Sequence, residues 1–173
     1  MNLDLSILLD NTNKVYPFHG EIVNYDLNDS IDGFKIFGPI KYKGEIFKLE
    51  GSHMINMDIW YTYESKCDRC LKPITKEIKT SLSAKLEDYS ESYKENEKEE
   101  YEDTIYHNKG FLKLDDYVLM EVASSLPMKS LCSEDCKGLC PQCGIDLNKE
   151  SCNCMDHLVD PRLEKLKDFV IED

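Results

Sequence analysis

Alternation of apolar and polar positions dominates the first half of the chain. Leu3, Leu5, Ile7 and Leu9 occupy every second place and predict an opening strand. Ile55, Met57, Ile59, Tyr61 and Tyr63 do the same over a longer stretch, which gives a strand with one apolar face. Ile74, Ile78, Leu82 and Leu86 share one parity at a spacing of four that a helix would also allow. Pro73, Thr75 and Thr80 are weak helix formers, so a strand is expected there too. Three antiparallel strands near 40–50, 54–66 and 73–86 follow. Asp32-Gly33 and Gly38-Pro39 read as turns, and Gly51-Ser52 reads as part of a hairpin connection.

The period changes after residue 104. Val118, Leu119, Val122 and Leu126 recur at spacings of three and four, with Asp115 as a cap and Pro127 as a stop, which predicts a helix over 115–126. Asp160-Pro161 supplies an N-cap and first-turn pair for a final helix carrying Leu163, Leu166 and Val170. Between sheet and helix, residues 87–103 hold nine acidic and two basic side chains, a block that repels itself and is expected to be a solvated loop. The predicted class is α+β: an antiparallel sheet domain over 1–130, and a cysteine-rich, zinc-binding segment with a terminal helix over 131–173.

Composition sharpens this picture in two ways. The 173 residues carry a formal charge of -13, which argues against non-specific nucleic-acid binding and leaves RNA contact to a local basic patch. A basic protein partner suits the overall field more easily. No apolar run approaches the ~20 residues of a membrane span, and the start lacks a secretory pattern, so a cytoplasmic protein is expected. Thiols stay reduced in that compartment, and the eight cysteines therefore point to metal ligation.

The cysteines fall as Cys67-x2-Cys70, Cys132-x3-Cys136-x3-Cys140-x2-Cys143 and Cys152-x-Cys154. Two intervening residues let both sulfurs reach one ion, and Gly144 can take the positive φ that the turn after a second ligand requires. Four thiolates suit tetrahedral zinc, so eight cysteines suit two structural Zn²⁺ ions. The preferred partition groups Cys67 and Cys70 with Cys132 and Cys136, and Cys140 and Cys143 with Cys152 and Cys154. The rival partition places Cys132, Cys136, Cys140 and Cys143 on one ion. His157, three residues after Cys154, is a possible substitute ligand.

Two segments together resemble a known family. They are Cys67-Asp-Arg-Cys70-Leu71-Lys72-Pro73, and Cys136-Lys-Gly-Leu-Cys140-Pro-Gln-Cys143-Gly-Ile-Asp-Leu-Asn148 with Cys152-Asn-Cys154 and Asp160-Pro161-Arg162-Leu163. The combination resembles the bacterial YceD family, the large ribosomal RNA subunit accumulation proteins, over nearly the whole chain. The resemblance implies a non-enzymatic role in the synthesis, processing or accumulation of 23S ribosomal RNA. It also implies a ribosomal RNA or a basic large-subunit ribosomal protein as partner.

A binding role directs attention to the basic stretch around the first cysteine pair. Lys66, Arg69, Lys72, Lys76 and Lys79 face only Asp68 and Glu77 in sequence, and they are candidate phosphate contacts. The alternative is that these cations offset nearby acids or the thiolate site. Two further functions compete with the leading one. A thiol–disulfide oxidoreductase would use Cys67 and Cys70, although such pairs usually open a helix. A zinc-ribbon module would bind RNA polymerase or another protein. Neither a paired-carboxylate frame, a phosphate-cradling loop nor a Ser/His/Asp arrangement argues for an enzyme.

Overall fold

The computed structural model describes residues 2–5, 14–25, 33–49, 52–88 and 104–154. The final helix and nearly all of the acidic block fall outside the described residues, as do His157 and the positions of Ile7 and Leu9. The chain forms two compact units, one of residues 1–65 and 75–128, the other of residues 66–74 and 129–173. The boundary expected from the sequence is at 130 instead. The Cys67-x2-Cys70 loop belongs with the cysteine-rich unit, although in the chain it connects two strands of the sheet.

In the first unit, strands β2 (Val15–Ile22), β3 (Lys35–Leu49), β4 (Ser52–Lys66), β5 (Pro73–Asp88) and β6 (Thr104–His107) form one sheet in that order. A two-stranded ribbon joins β1 (Asn2–Asp4) to β7 (Phe111–Lys113), with Leu3 opposite Leu112. The β2–β3 and β3–β4 pairs are antiparallel. Strand β6 instead runs parallel to β5, so the sheet is mixed. The reason is that the β5–β6 connection spans residues 89–103, long enough for a crossover that a tight hairpin cannot make.

The expected strands appear with longer spans. Parity does what the sequence predicts: Ile55, Met57, Ile59, Tyr61 and Tyr63 are all buried, opposite Ile46, Gly44, Tyr42, nothing in register at 61, and Ile36. That gap is a β-bulge between Phe37 and Lys41, and it corrects the Gly38-Pro39 turn. Gly38 takes φ 75° and the strand continues beyond it, because the extra residues are absorbed locally and Pro39 has no N–H to leave unpaired. The Tyr25 hydroxyl donates to the Gly38 carbonyl at 2.8 Å, which holds the bulge.

One helix is present among the described residues, α1 (Leu114–Ser124), at the place of the first of the two expected helices. It buries Leu114, Val118 and Val122, one residue per turn, against the same core as the β3 and β4 side chains. Asp115 does not cap it. Lys113 occupies that place, and Asp115 and Asp116 lie in the first turn, where their charges complement the helix dipole. The Tyr61 hydroxyl meets Ser125 Oγ at 2.9 Å, and Thr80 Oγ1 donates to Glu121 Oε1 at 2.6 Å, fixing the helix against β4 and β5. No helix among the described residues is long and apolar enough to cross a membrane.

Candidate metal centres

The second unit is built around two turns of the same construction. In the first, the Cys67 N–H donates to the Lys72 carbonyl and the Leu71 N–H to the Cys67 carbonyl, both at 2.8 Å. In the second, the Cys140 N–H donates to the Ile145 carbonyl and the Gly144 N–H to the Cys140 carbonyl, both at 2.9 Å. Each pair of bonds curls the loop so that the amides two and three residues on face the first sulfur. Arg69 and Cys70 supply them to Cys67, and Gln142 and Cys143 to Cys140. The fourth residue beyond the first cysteine must then be left-handed, with φ 59° at Leu71 and 73° at Gly144.

Leucine at that position bears strain that glycine does not. A Cβ on Gly144 would meet nothing within 4 Å, so Gly144→Ala isolates the backbone cost. We expect Gly144→Ala to lower the stability of the metal-loaded chain by about 1–2 kcal/mol. Leu71→Gly should raise it, by up to about 1 kcal/mol, since unfolded-state entropy offsets part of the gain. Denaturant titration checks both; equal effects of the same sign would contradict the turn geometry.

The sulfurs gather into two tetrads, Cys67, Cys70, Cys132 and Cys136, and Cys140, Cys143, Cys152 and Cys154, with the sulfurs of each set within 4.8 Å of one another. This is the partition preferred from spacing, and the rival set of 132, 136, 140 and 143 is not assembled. Cys67 and Cys136 sulfurs are 3.9 Å apart, and those of Cys70 and Cys132 are 3.6 Å apart. A tetrahedron of sulfurs about 2.3 Å from a central ion has edges of about 3.8 Å, so the set is sized for one. Both tetrads could hold a metal ion.

Charge in each tetrad is unevenly shared. Burial pushes the Cys67 thiol up, but amide bonds from Cys132, Cys70 and Arg69 outweigh it and bring the thiol down to about 6. Amides of Cys143 and Gln142 likewise bring Cys140 down to about 6. Bonds with Cys136 and Cys70 push Cys132 up to about 12, and a bond with Cys143 pushes Cys154 up to about 12. Cys70 and Cys152 are also raised overall. Cys136 is lowered as well, its burial outweighed by bonds from the Gly138 amide and from Cys132 and Asn148. Four thiolates so close cannot coexist without a cation, and in each tetrad the lowered thiols, Cys67 and Cys136 in the first and Cys140 in the second, stand beside two that are held up.

Polar contacts that the sequence does not announce hold the first tetrad together. The Arg69 guanidinium donates to the carbonyls of Glu134 and Cys136 at 3.0 and 2.8 Å. The Asp68 carboxylate accepts from the Ser130 N–H at 2.6 Å, while the Asp68 N–H donates to the Ser130 carbonyl at 2.9 Å. Asn148 links the two loops: its side-chain oxygen accepts from the Lys137 N–H at 2.8 Å, and its amide group lies 3.5 Å from Cys136 Sγ. Asp146 accepts from the same amide at 2.8 Å and pairs with Lys72 at 3.0 Å. Those contacts, Asn148 foremost and then Lys72, hold the Asp146 carboxyl down at about 2.

The five cations of the basic stretch divide between the units. Lys66, Arg69 and Lys72 lie in the cysteine unit, where Arg69 and Lys72 are engaged as above. Lys76 and Lys79 lie in the sheet unit, where Lys79 pairs with Asp58 at 2.9 Å and covers the Trp60 ring. Lys76 is exposed, with no ion-pair partner among the described residues.

Similar proteins bear on this arrangement. Uncharacterized proteins of Mycobacterium tuberculosis and Mycobacterium bovis are 31% identical over 105 residues, covering 61% of this chain and 49% of theirs. An uncharacterized protein of Mycobacterium leprae is 29% identical over 110 residues, 63% of this chain and 49% of its own. The chain thus spans about half the length of these relatives. No solved structure matches it significantly. The family described as large ribosomal RNA subunit accumulation protein YceD matches over residues 55–170, a span that runs from β4 through every cysteine, and the chain belongs to that family.

Proposed function

We propose that this chain is a non-enzymatic, cytoplasmic factor in large-subunit ribosome assembly. It promotes accumulation of 23S ribosomal RNA by binding that RNA or a basic ribosomal protein. The observation that carries the reading is the family match over 55–170, because the family is described by that role. The cysteine geometry supports the non-enzymatic part. All eight sulfurs fall into two ligand sets, which suits zinc as scaffold, and a fully sulfur, tetrahedral donor set is the one zinc favours. Zinc bound there would supply charge neutralisation and cross-linking, and the protein residues do the rest by fixing the loops.

An oxidoreductase built on Cys67 and Cys70 is less well supported. Both sulfurs are buried, they face Cys132 and Cys136, and their turn connects two strands instead of opening a helix. The five cations from Lys66 to Lys79 remain candidate phosphate contacts. Within that set Arg69 and Lys72 have structural duties, so Lys76 is the substitution that would report on RNA without disturbing the turn.

Depletion in the host bacterium tests the function. Sucrose-gradient profiling should show a fall of 23S relative to 16S ribosomal RNA and a deficit of large subunits. An unchanged ratio would remove the assembly reading.

Metal binding carries a pH dependence whose sign is fixed. Ligation requires thiolates, and Cys70 with Cys132, or Cys152 with Cys154, must each lose a raised proton to bind. Protons therefore compete with the ion as pH falls. With at least two released per site, affinity should drop by about 100-fold or more per pH unit between pH 7 and 6. Competition with a chromophoric chelator at the two pH values measures this; a pH-independent affinity would contradict thiolate ligation.

A further inference from the structure

Beside α1 the sheet unit leaves an open groove of about 790 Å³, lined by Tyr106, Lys109, Phe111, Lys113, Tyr117 and Met120 among others. Its walls expose more apolar surface than folding explains: Phe111 is 57% exposed, Met120 68% and Tyr106 36%. A continuous exposed patch of large apolar side chains marks a binding surface more often than an accident of packing.

The local sequence explains the display. Asn108 and Phe111 pair across a two-residue turn in which Lys109 and Gly110 both take positive φ, 46° and 83°. Lys109 is exposed in that turn. In β7 the alternation then buries Leu112 and turns Phe111 and Lys113 outward. Lys109 from the turn and Phe111 and Lys113 from β7 all line the groove, which therefore offers an aromatic ring together with two lysines. Across the groove Tyr117 is locked in place: its hydroxyl accepts from the Tyr106 N–H at 3.1 Å and lies 3.3 Å from the Tyr106 carbonyl, to which it donates.

Charge decides what the groove fits. In a chain of net charge -13 the lining holds two lysines and a single acid, Asp116. A base stacked on a ring with its neighbouring phosphates on the flanking cations fits that display. An apolar peptide helix would leave both ammonium groups without a counter-charge. We propose that this groove binds unpaired nucleotides of single-stranded RNA, with Phe111 as the stacking platform and Lys109 and Lys113 as phosphate contacts. The inference deepens the ribosomal RNA reading and rests on it for the identity of the RNA.

The test uses the full, zinc-loaded chain and a fluorescein-labelled twelve-nucleotide oligoribonucleotide, followed by anisotropy across a salt series. The wild type binds the single strand more tightly than a duplex of the same length. Phe111→Ala weakens binding roughly tenfold or more, and Phe111→Trp restores it. The double substitution Lys109→Ala with Lys113→Ala lowers the slope of log affinity against log salt by about 1.4. Absence of binding by the wild type, equal binding by Phe111→Ala, or displacement of the oligonucleotide only by an apolar helical peptide would each overturn the proposal. Failure here is separable from failure of the assembly role. If depletion lowers 23S RNA but Phe111→Ala binds as wild type, only the groove inference falls; if depletion changes nothing, the assembly reading falls whatever the oligonucleotide does.

Discussion

Cys67→Ser is expected to lose one of two zinc ions per chain and to unfold the loop at 66–74 together with its partner segment from residue 129. Cys67 is fully buried and sits in a tetrad in which only Cys132 is exposed. A serine hydroxyl there is a poor zinc ligand and would be left in the place of a sulfur that accepts three amide bonds. The apparent binding energy of a structural zinc, about 10–16 kcal/mol, matches or exceeds the whole stability of an ordinary domain. No local repacking can replace it. Cys152→Ser should behave differently, losing the other ion while the first is kept, because Cys143 is exposed and Cys152 and Cys154 are half-buried. For the same reason the second ion should leave first when a chelator is added to the wild type. Metal counting on the two variants checks this, and loss of both ions from either one would contradict separate sites.

Gly138→Ala carries the second large effect. Gly138 has φ 79°, and a Cβ there would lie 2.9 Å from the Arg69 carbonyl oxygen and 3.2 Å from the Arg69 Cβ. That backbone cannot simply move aside, since the same carbonyl accepts from the Leu139 N–H at 3.0 Å and the Gly138 amide bonds Cys136. Left-handed strain and steric crowding together should cost about 2–5 kcal/mol. They should also weaken the first metal site, which Gly144→Ala leaves intact. A destabilisation no greater than that of Gly144→Ala would show that the approach to Arg69 is unimportant.

The sequence made the ligand partition legible because cysteine spacing is a local, chemically specific signal. The sheet was legible from the parity of Ile55 to Tyr63, since a strand with one buried face must alternate. Other features left no such trace. Leu71 is not a residue that advertises positive φ, and only superposing its turn on that of Cys140 to Gly144 would have found it. Arg69 to Cys136, Asp68 to Ser130 and Asn148 to Cys136 are polar contacts made across as many as 67 residues, with no periodicity to betray them. The parallel pairing of β6 was hidden by its brevity: Thr104–His107 offers four residues and a single buried side chain, Ile105. The basic stretch was visible as charge, but charge alone could not tell that Arg69 and Lys72 hold loops in place.

We infer that the eight cysteines hold two structural zinc ions. Native mass spectrometry of the full chain purified without chelator, paired with a thiol titration of the same sample, tests it most directly. Two zinc ions per chain with all eight thiols slow to react is the predicted result. Fewer than about one zinc per chain, with every thiol freely reactive, would contradict it.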